Sequence, residues 1–273
     1  MLRAFALTCG LALAHAMALA GCGELLKVAS HEGTQTAYAL AYPQDRAASR
    51  GSLVLLAGGE GHIKLGDDAC PRALKGNSLV RSVQRFHAAG FVTALVDAPS
   101  DHHGLDGLAG FRVTEAHAKD LGAVIADLRA RTQLPVWVVG TSRGSISAAN
   151  AAARLTGPSA PDGVVLTSAL MAGSPGKKPW ATQSVFDLPL SSIKLPTLIM
   201  GHAQDRCLRS PPGEMNRLAQ ALGSTRKQVV TLSGGTVPAG PASLADCEGR
   251  SPHGFEGVEA EMVEAISRFI GGN

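Results

Sequence analysis

Short runs of consecutive apolar residues alternate along this chain with longer stretches in which apolar positions recur every three or four residues. The run at 52–57 stops at Gly58-Gly59, as a strand buried on both faces should. Residues 91–96, 135–139, 163–167 and 196–200 repeat that character, and 227–232 reads as a further short strand. Residues 36–42 alternate instead, which predicts an early, edge-type strand.

Helical spacing fills the intervals. Leu79, Val80, Val83 and Phe86 mark a helix over 77–89 that Gly90 stops. Val113, Leu121, Val124, Ile125 and Leu128 mark another over 113–131, and 145–155 is an alanine-rich third. Residues 211–222 form a helix with Pro in its first turn. Val258, Met262, Val263, Ile266, Phe269 and Ile270 make the apolar stripe of a C-terminal helix. Fully apolar strands alternating with helices specify an α/β fold, a mostly parallel sheet covered on both faces. Right-handed crossovers then give a three-layer, doubly wound sandwich.

At 273 residues with 45% hydrophobic content, the chain has enough apolar surface for one sizeable core. Its start reads differently from the rest. Arg3 precedes an apolar, Ala/Leu-rich stretch over 4–20, the layout of a signal peptide. We therefore divide the chain into a signal peptide (1–22), a polar linker (23–34) and one domain (35–273). Leu19-Ala20-Gly21-Cys22 resembles the lipobox of bacterial lipoproteins. That resemblance implies lipidation of Cys22 and a tether to the membrane on the periplasmic side of the cell envelope. Plain cleavage after Ala18-Leu19-Ala20 also fits the small-x-small rule and would give a secreted form.

Charge adds an exclusion. The 25 basic and 22 acidic residues are scattered, and only seven Phe, two Tyr and two Trp are present. No basic, aromatic-interleaved surface for nucleic acid is expected.

The chemistry concentrates at Gly140-Thr141-Ser142-Arg143-Gly144, between the strand at 135–139 and the helix at 145–155. Strand, G-x-S-x-G, then helix is the context of a nucleophile elbow, in which a tight turn presents the serine hydroxyl at the end of the sheet. A serine hydroxyl needs an adjacent base to take its proton as it attacks.

With this motif in this order of elements, the chain resembles the α/β-hydrolases over nearly all of the domain. The resemblance implies a nucleophile, an acid and a histidine in that order, met here by Ser142, Asp205 and His253. Asp205 follows a strand end, and His253 lies in Ser251-Pro252-His253-Gly254-Phe255, just before the last helix. The carboxylate would orient the imidazole, which shuttles the proton. The oxyanion donors would be the amide of Arg143 and that of Gly59 or Glu60, where Ala57 replaces the family's usual His. The segment 167–195, where that family inserts a lid, is short, so a minimal lid is expected.

Several further readings follow. Cys207 lies just after Asp205 and Cys247 shortly before His253, so a disulfide between them would tie two active-site loops together. Three buried thiols are the alternative, and Cys70 is left without an assigned role. Asp97, Asp101, His102 and His103 cluster on one loop, which we read as lining the substrate cleft rather than holding a metal. His102 and Trp180 are accordingly expected to contact substrate, and Asp120 and Asp127 to be solvated helix positions. Gly58-Gly59-Glu60-Gly61 lacks the spacing of a dinucleotide loop. The expected activity is a cofactor-free serine hydrolase acting on a small-molecule ester or related acyl bond through an acyl-enzyme. An acyltransferase, thioesterase or peptidase would use the same triad, and a non-catalytic envelope binding protein could share the fold.

Overall fold

The computed structural model describes residues 22–173, 178–237, 239 and 241–272. Among the described residues eight strands form one sheet: β1 (Glu24–Ala29), β2 (Gln35–Ala41), β3 (Gly51–Leu56), β4 (Phe91–Val96), β5 (Val136–Thr141), β6 (Gly163–Thr167), β7 (Thr197–His202) and β8 (Lys227–Leu232). Their spatial order is β1-β2-β4-β3-β5-β6-β7-β8. β1–β2 and β2–β4 pair antiparallel, and every later pair is parallel.

Period-two alternation sorts the strand residues between two cores. Val54, Val138 and Val164 face one side, where they meet α3 (Glu115–Thr132), α4 (Gly144–Arg154) and α5 (Met215–Ala221). Leu53, Leu55, Trp137 and Val139 face the other, against α1 (Ser78–Arg81), α2 (Val83–Ala88) and α6 (Glu259–Gly271). Trp137 and Phe269 meet edge to face at 5.8 Å. This is the three-layer, mostly parallel sandwich read from the apolar pattern.

The differences lie at the margins. β2 is not the edge strand, because β1 pairs along its whole length in register Glu24 to Leu40 through Ala29 to Gln35. β1 lies within the stretch read as a linker, 23–34. Its Glu24 and Lys27 are exposed, so half-burial at a sheet margin left little apolar signal. The helix expected over 77–89 is two short ones that meet at Ser82. The one expected over 113–131 starts at Glu115, capped by the Thr114 hydroxyl accepting from the His117 N–H at 3.1 Å.

Two disulfides are present among the described residues. Cys207–Cys247 is the pairing suggested by position. Cys22 is bonded to Cys70, and a sulfur engaged in that disulfide is not available for the thioether of a lipid anchor. Cys70 thereby acquires a role, pinning the start of β1 to the loop after β3, where the Cys22 N–H also donates to Asp68 O at 3.0 Å. No helix among the described residues is long and apolar enough to cross a membrane.

Candidate active site

The chain winds from β3 through α1 and α2 to β4 on one side, then crosses back through α3 to β5 on the other. The carboxyl ends of β3 and β5 are therefore neighbours where the winding direction reverses, the position at which ligands bind to such sheets. Gly58 follows β3 and Ser142 follows β5. At Gly58 a Cβ would lie 2.9 Å from Ser142 Cβ and 3.1 Å from Thr141 O, so only glycine lets the two turns touch.

Ser142 has φ 52°, the left-handed conformation that β-carbon sterics disfavour by roughly 1–2 kcal/mol. The surroundings hold it there. Its N–H donates to Thr167 O at 3.0 Å, and its own carbonyl accepts from Ser145 Oγ at 2.6 Å. Gly144 then starts α4 so close to β3 that a Cβ there would sit 2.2 Å from Leu56 O. The motif's glycine is thus a packing requirement.

Asp205 lies in the loop after β7, and His253 in a 3-10 turn, Pro252–Gly254, before α6. Across 48 residues of chain, His253 Nδ1 meets Asp205 Oδ2 at 2.9 Å, with side chains only 3% and 1% exposed. A carboxylate there makes Nδ1 the donor and leaves Nε2 as the acceptor of the neutral ring. Nε2 is buried and has no hydrogen-bond partner among the described residues. Ser142, Arg143, Gly59, Glu60 and His253 all line one cleft of about 550 Å³. Cys207 and Cys247 line it too, so their disulfide staples the Asp205 loop to the His253 loop at the cleft wall.

The site has supports that the sequence pattern did not disclose. Ser168 donates to His253 O at 2.7 Å, and Ser251 Oγ accepts from the His253 N–H at 3.2 Å. Arg81 donates to Gly249 O at 2.9 Å and Gly254 O at 2.6 Å, and it pairs with Glu259 at 2.8 Å and Glu256 at 3.1 Å. One guanidinium therefore fixes both flanks of the histidine turn. Arg112, fully buried, reaches Ser147 Oγ at 2.7 Å, Ala57 O at 3.3 Å and Gly59 O at 3.4 Å. It braces the turn expected to carry an oxyanion donor. Burial, reinforced by the Arg143 charge, lowers its pKa to about 9. Arginines and serines on separate elements carry no motif, so only the folded chain brings these contacts together.

Two expected substrate contacts stand apart. His102 is not among the cleft residues; its ring stacks on Phe111 at 4.1 Å, because the loop after β4 turns back towards β1. The side chain of Trp180 lies outside what the structure describes. Asp97 is consumed by backbone, accepting from the N–H groups of Ile63, Leu65 and Ala98 at 2.8–2.9 Å. Asp127 bonds Tyr38 and Arg131, and Asp120 is buried, so neither is a freely solvated helix residue.

No protein-family model and no curated protein matches the chain by sequence. Solved structures do match it in fold. A soluble variant of monoglyceride lipase from Saccharomyces cerevisiae superposes with TM-score 0.61 at 13% identity, over 91% of this chain and 94% of that one. Thermogutta terrifontis esterase 2, phosphonylated by sarin, gives 0.60 at 15% identity, over 91% and 94%. A cold-adapted esterase from an Arctic intertidal metagenomic library gives 0.59 at 16% identity, over 89% and 92%. The chain has the α/β-hydrolase fold.

Proposed function

We propose that this protein is a serine hydrolase that cleaves a carboxylic ester through an acyl-enzyme. The observation that supports it most is the buried 2.9 Å contact between His253 Nδ1 and Asp205, in a histidine that lines the same cleft as Ser142. Similarity in fold to two esterases and a lipase agrees with it.

In this mechanism Ser142 Oγ attacks the ester carbonyl carbon while His253 Nε2 takes the hydroxyl proton. The carbonyl oxygen becomes an oxyanion, held by the amide of Arg143 and an amide of the turn at Gly59 and Glu60. Asp205 keeps the imidazole in the accepting tautomer and stabilises the imidazolium. Collapse expels the alcohol with the proton from His253, leaving Ser142 acylated. Water, deprotonated by His253, then attacks the acyl carbon and releases the acid and the serine. The two disulfides fit export to an oxidising compartment.

The test is hydrolysis of a panel of p-nitrophenyl esters of increasing acyl length by purified protein. The reading requires turnover on at least one member and its loss in Ser142→Ala. Inactivity of well-folded protein across the panel would favour a binding role for the same cleft.

A further inference from the structure

Away from the cleft residues, three side chains from two distant segments converge. His31 sits in the turn between β1 and β2, while Asp101 and His102 lie on the loop after β4. His31 Nε2 is 3.0 Å from Asp101 Oδ2, and His102 Nε2 is 3.7 Å from the same oxygen.

The hydrogen bonds behind these atoms fix their character. Asp120, 3% exposed, accepts from the His31 backbone N–H at 2.8 Å and from His31 Nδ1 at 2.7 Å. His102 Nδ1 donates to Gly107 O at 3.1 Å, since a carbonyl can only accept. Each neutral ring thus spends its one N–H backwards and keeps an Nε2 lone pair near Asp101 Oδ2, while a protonated His31 would donate to that oxygen. Phe111 fixes both rings, 4.7 Å from His31 and 4.1 Å from His102.

Two imidazole nitrogens and a carboxylate oxygen thus surround one point, where either a proton on His31 or a metal cation can join them. We propose that His31, Asp101 and His102 bind a zinc-class divalent cation, with Asp120 as the carboxylate behind the first histidine. The ring–carboxylate backing is how metal-bound histidines are usually oriented. Tetrahedral zinc, with bonds of about 2.0–2.1 Å, spaces its ligand atoms about 3.3 Å apart, between the two separations found here. The third separation is no more than 4.8 Å, so small side-chain rotations close the site. Asp101 is 42% exposed, which leaves a fourth position to water. His31 is 70 residues away from Asp101, so the loop pattern alone does not disclose the cluster.

Such an ion would clamp the β1–β2 turn to the loop after β4. That loop runs on to Leu108, whose N–H donates to Glu60 O at 2.8 Å, beside the cleft. The site stands independently of the hydrolase reading.

Zinc chloride alone, titrated into chelator-stripped full-length protein by calorimetry, tests the proposal, with metal content after desalting as a second readout. One equivalent should bind to wild type and to His253→Ala, which separates this site from the cleft histidine. Affinity should fall at least about 30-fold in both Asp101→Asn and His102→Gln, and zinc should raise the melting temperature of wild type but not of these variants. Two variants guard against one that fails to fold. Absence of a bound equivalent in wild type, or binding unchanged in the folded variants, overturns the proposal.

Discussion

Ser168 gives its hydroxyl hydrogen to the backbone carbonyl of His253 across 2.7 Å, and both residues are 2% exposed. The bond joins the end of β6 to the turn before α6, two segments separated by 85 residues. Ser168 is itself left-handed, with φ 41°, and its carbonyl accepts from Ser210 Oγ at 3.0 Å. The histidine turn is therefore anchored through backbone as well as through its ring.

Removing that hydroxyl leaves a buried carbonyl unpaired, a loss of about 1–3 kcal/mol shared between stability and positioning. In Ser168→Ala we expect kcat to fall on the order of 10-fold with KM little changed, since the hydroxyl acts on the imidazole's position. Steady-state kinetics beside a melting curve checks this. An unchanged kcat would show that the ring is placed without help from β6.

Asp205→Asn keeps the shape of the contact and reverses its polarity. The amide can donate towards Nδ1, turning Nε2 into the protonated nitrogen and removing the base. By the general behaviour of such triads, kcat should drop about 10³- to 10⁴-fold. The Cys207 N–H, which donates to Asp205 Oδ1 at 2.8 Å, retains an acceptor in the variant, so melting should change less than activity. Calorimetry alongside kinetics separates the two effects.

Acid sensitivity should arise partly from His117. Burial, then the charge of Arg112, hold its pKa well below 6.5, so it stays neutral in the fold while its Nε2 lies 2.8 Å from Ser147 Oγ. The unfolded chain binds the proton that the folded chain refuses. Stability is therefore intact above pH of about 6.5 and declines below it by up to about 1.4 kcal/mol per pH unit from this residue. Urea midpoints at successive pH values should fall more steeply in wild type than in His117→Gln.

The central strands were legible because burial on both faces leaves only apolar residues, and 227–232 is reproduced as β8. The elbow was legible because two close backbone approaches demand glycine on either side of the serine. β1 was hidden because a half-exposed margin strand carries charges, Glu24 and Lys27, like a linker. Helix interruption at Ser82 left no Gly or Pro to announce it. Asp205 and His253 could be named only through order along the chain, whereas the roles of Arg81, Arg112 and Ser168 depend on contacts between remote segments. His31 and Asp120, 89 residues apart, are of the same kind.

The central claim is that Ser142 is a nucleophile activated by His253. Incubation with a fluorophosphonate and peptide mass spectrometry tests it most directly. One adduct per folded chain is expected, on the peptide containing Ser142, formed much more slowly in His253→Ala. Folded wild-type protein with Ser142 unmodified, or labelled equally fast without the histidine, would contradict it.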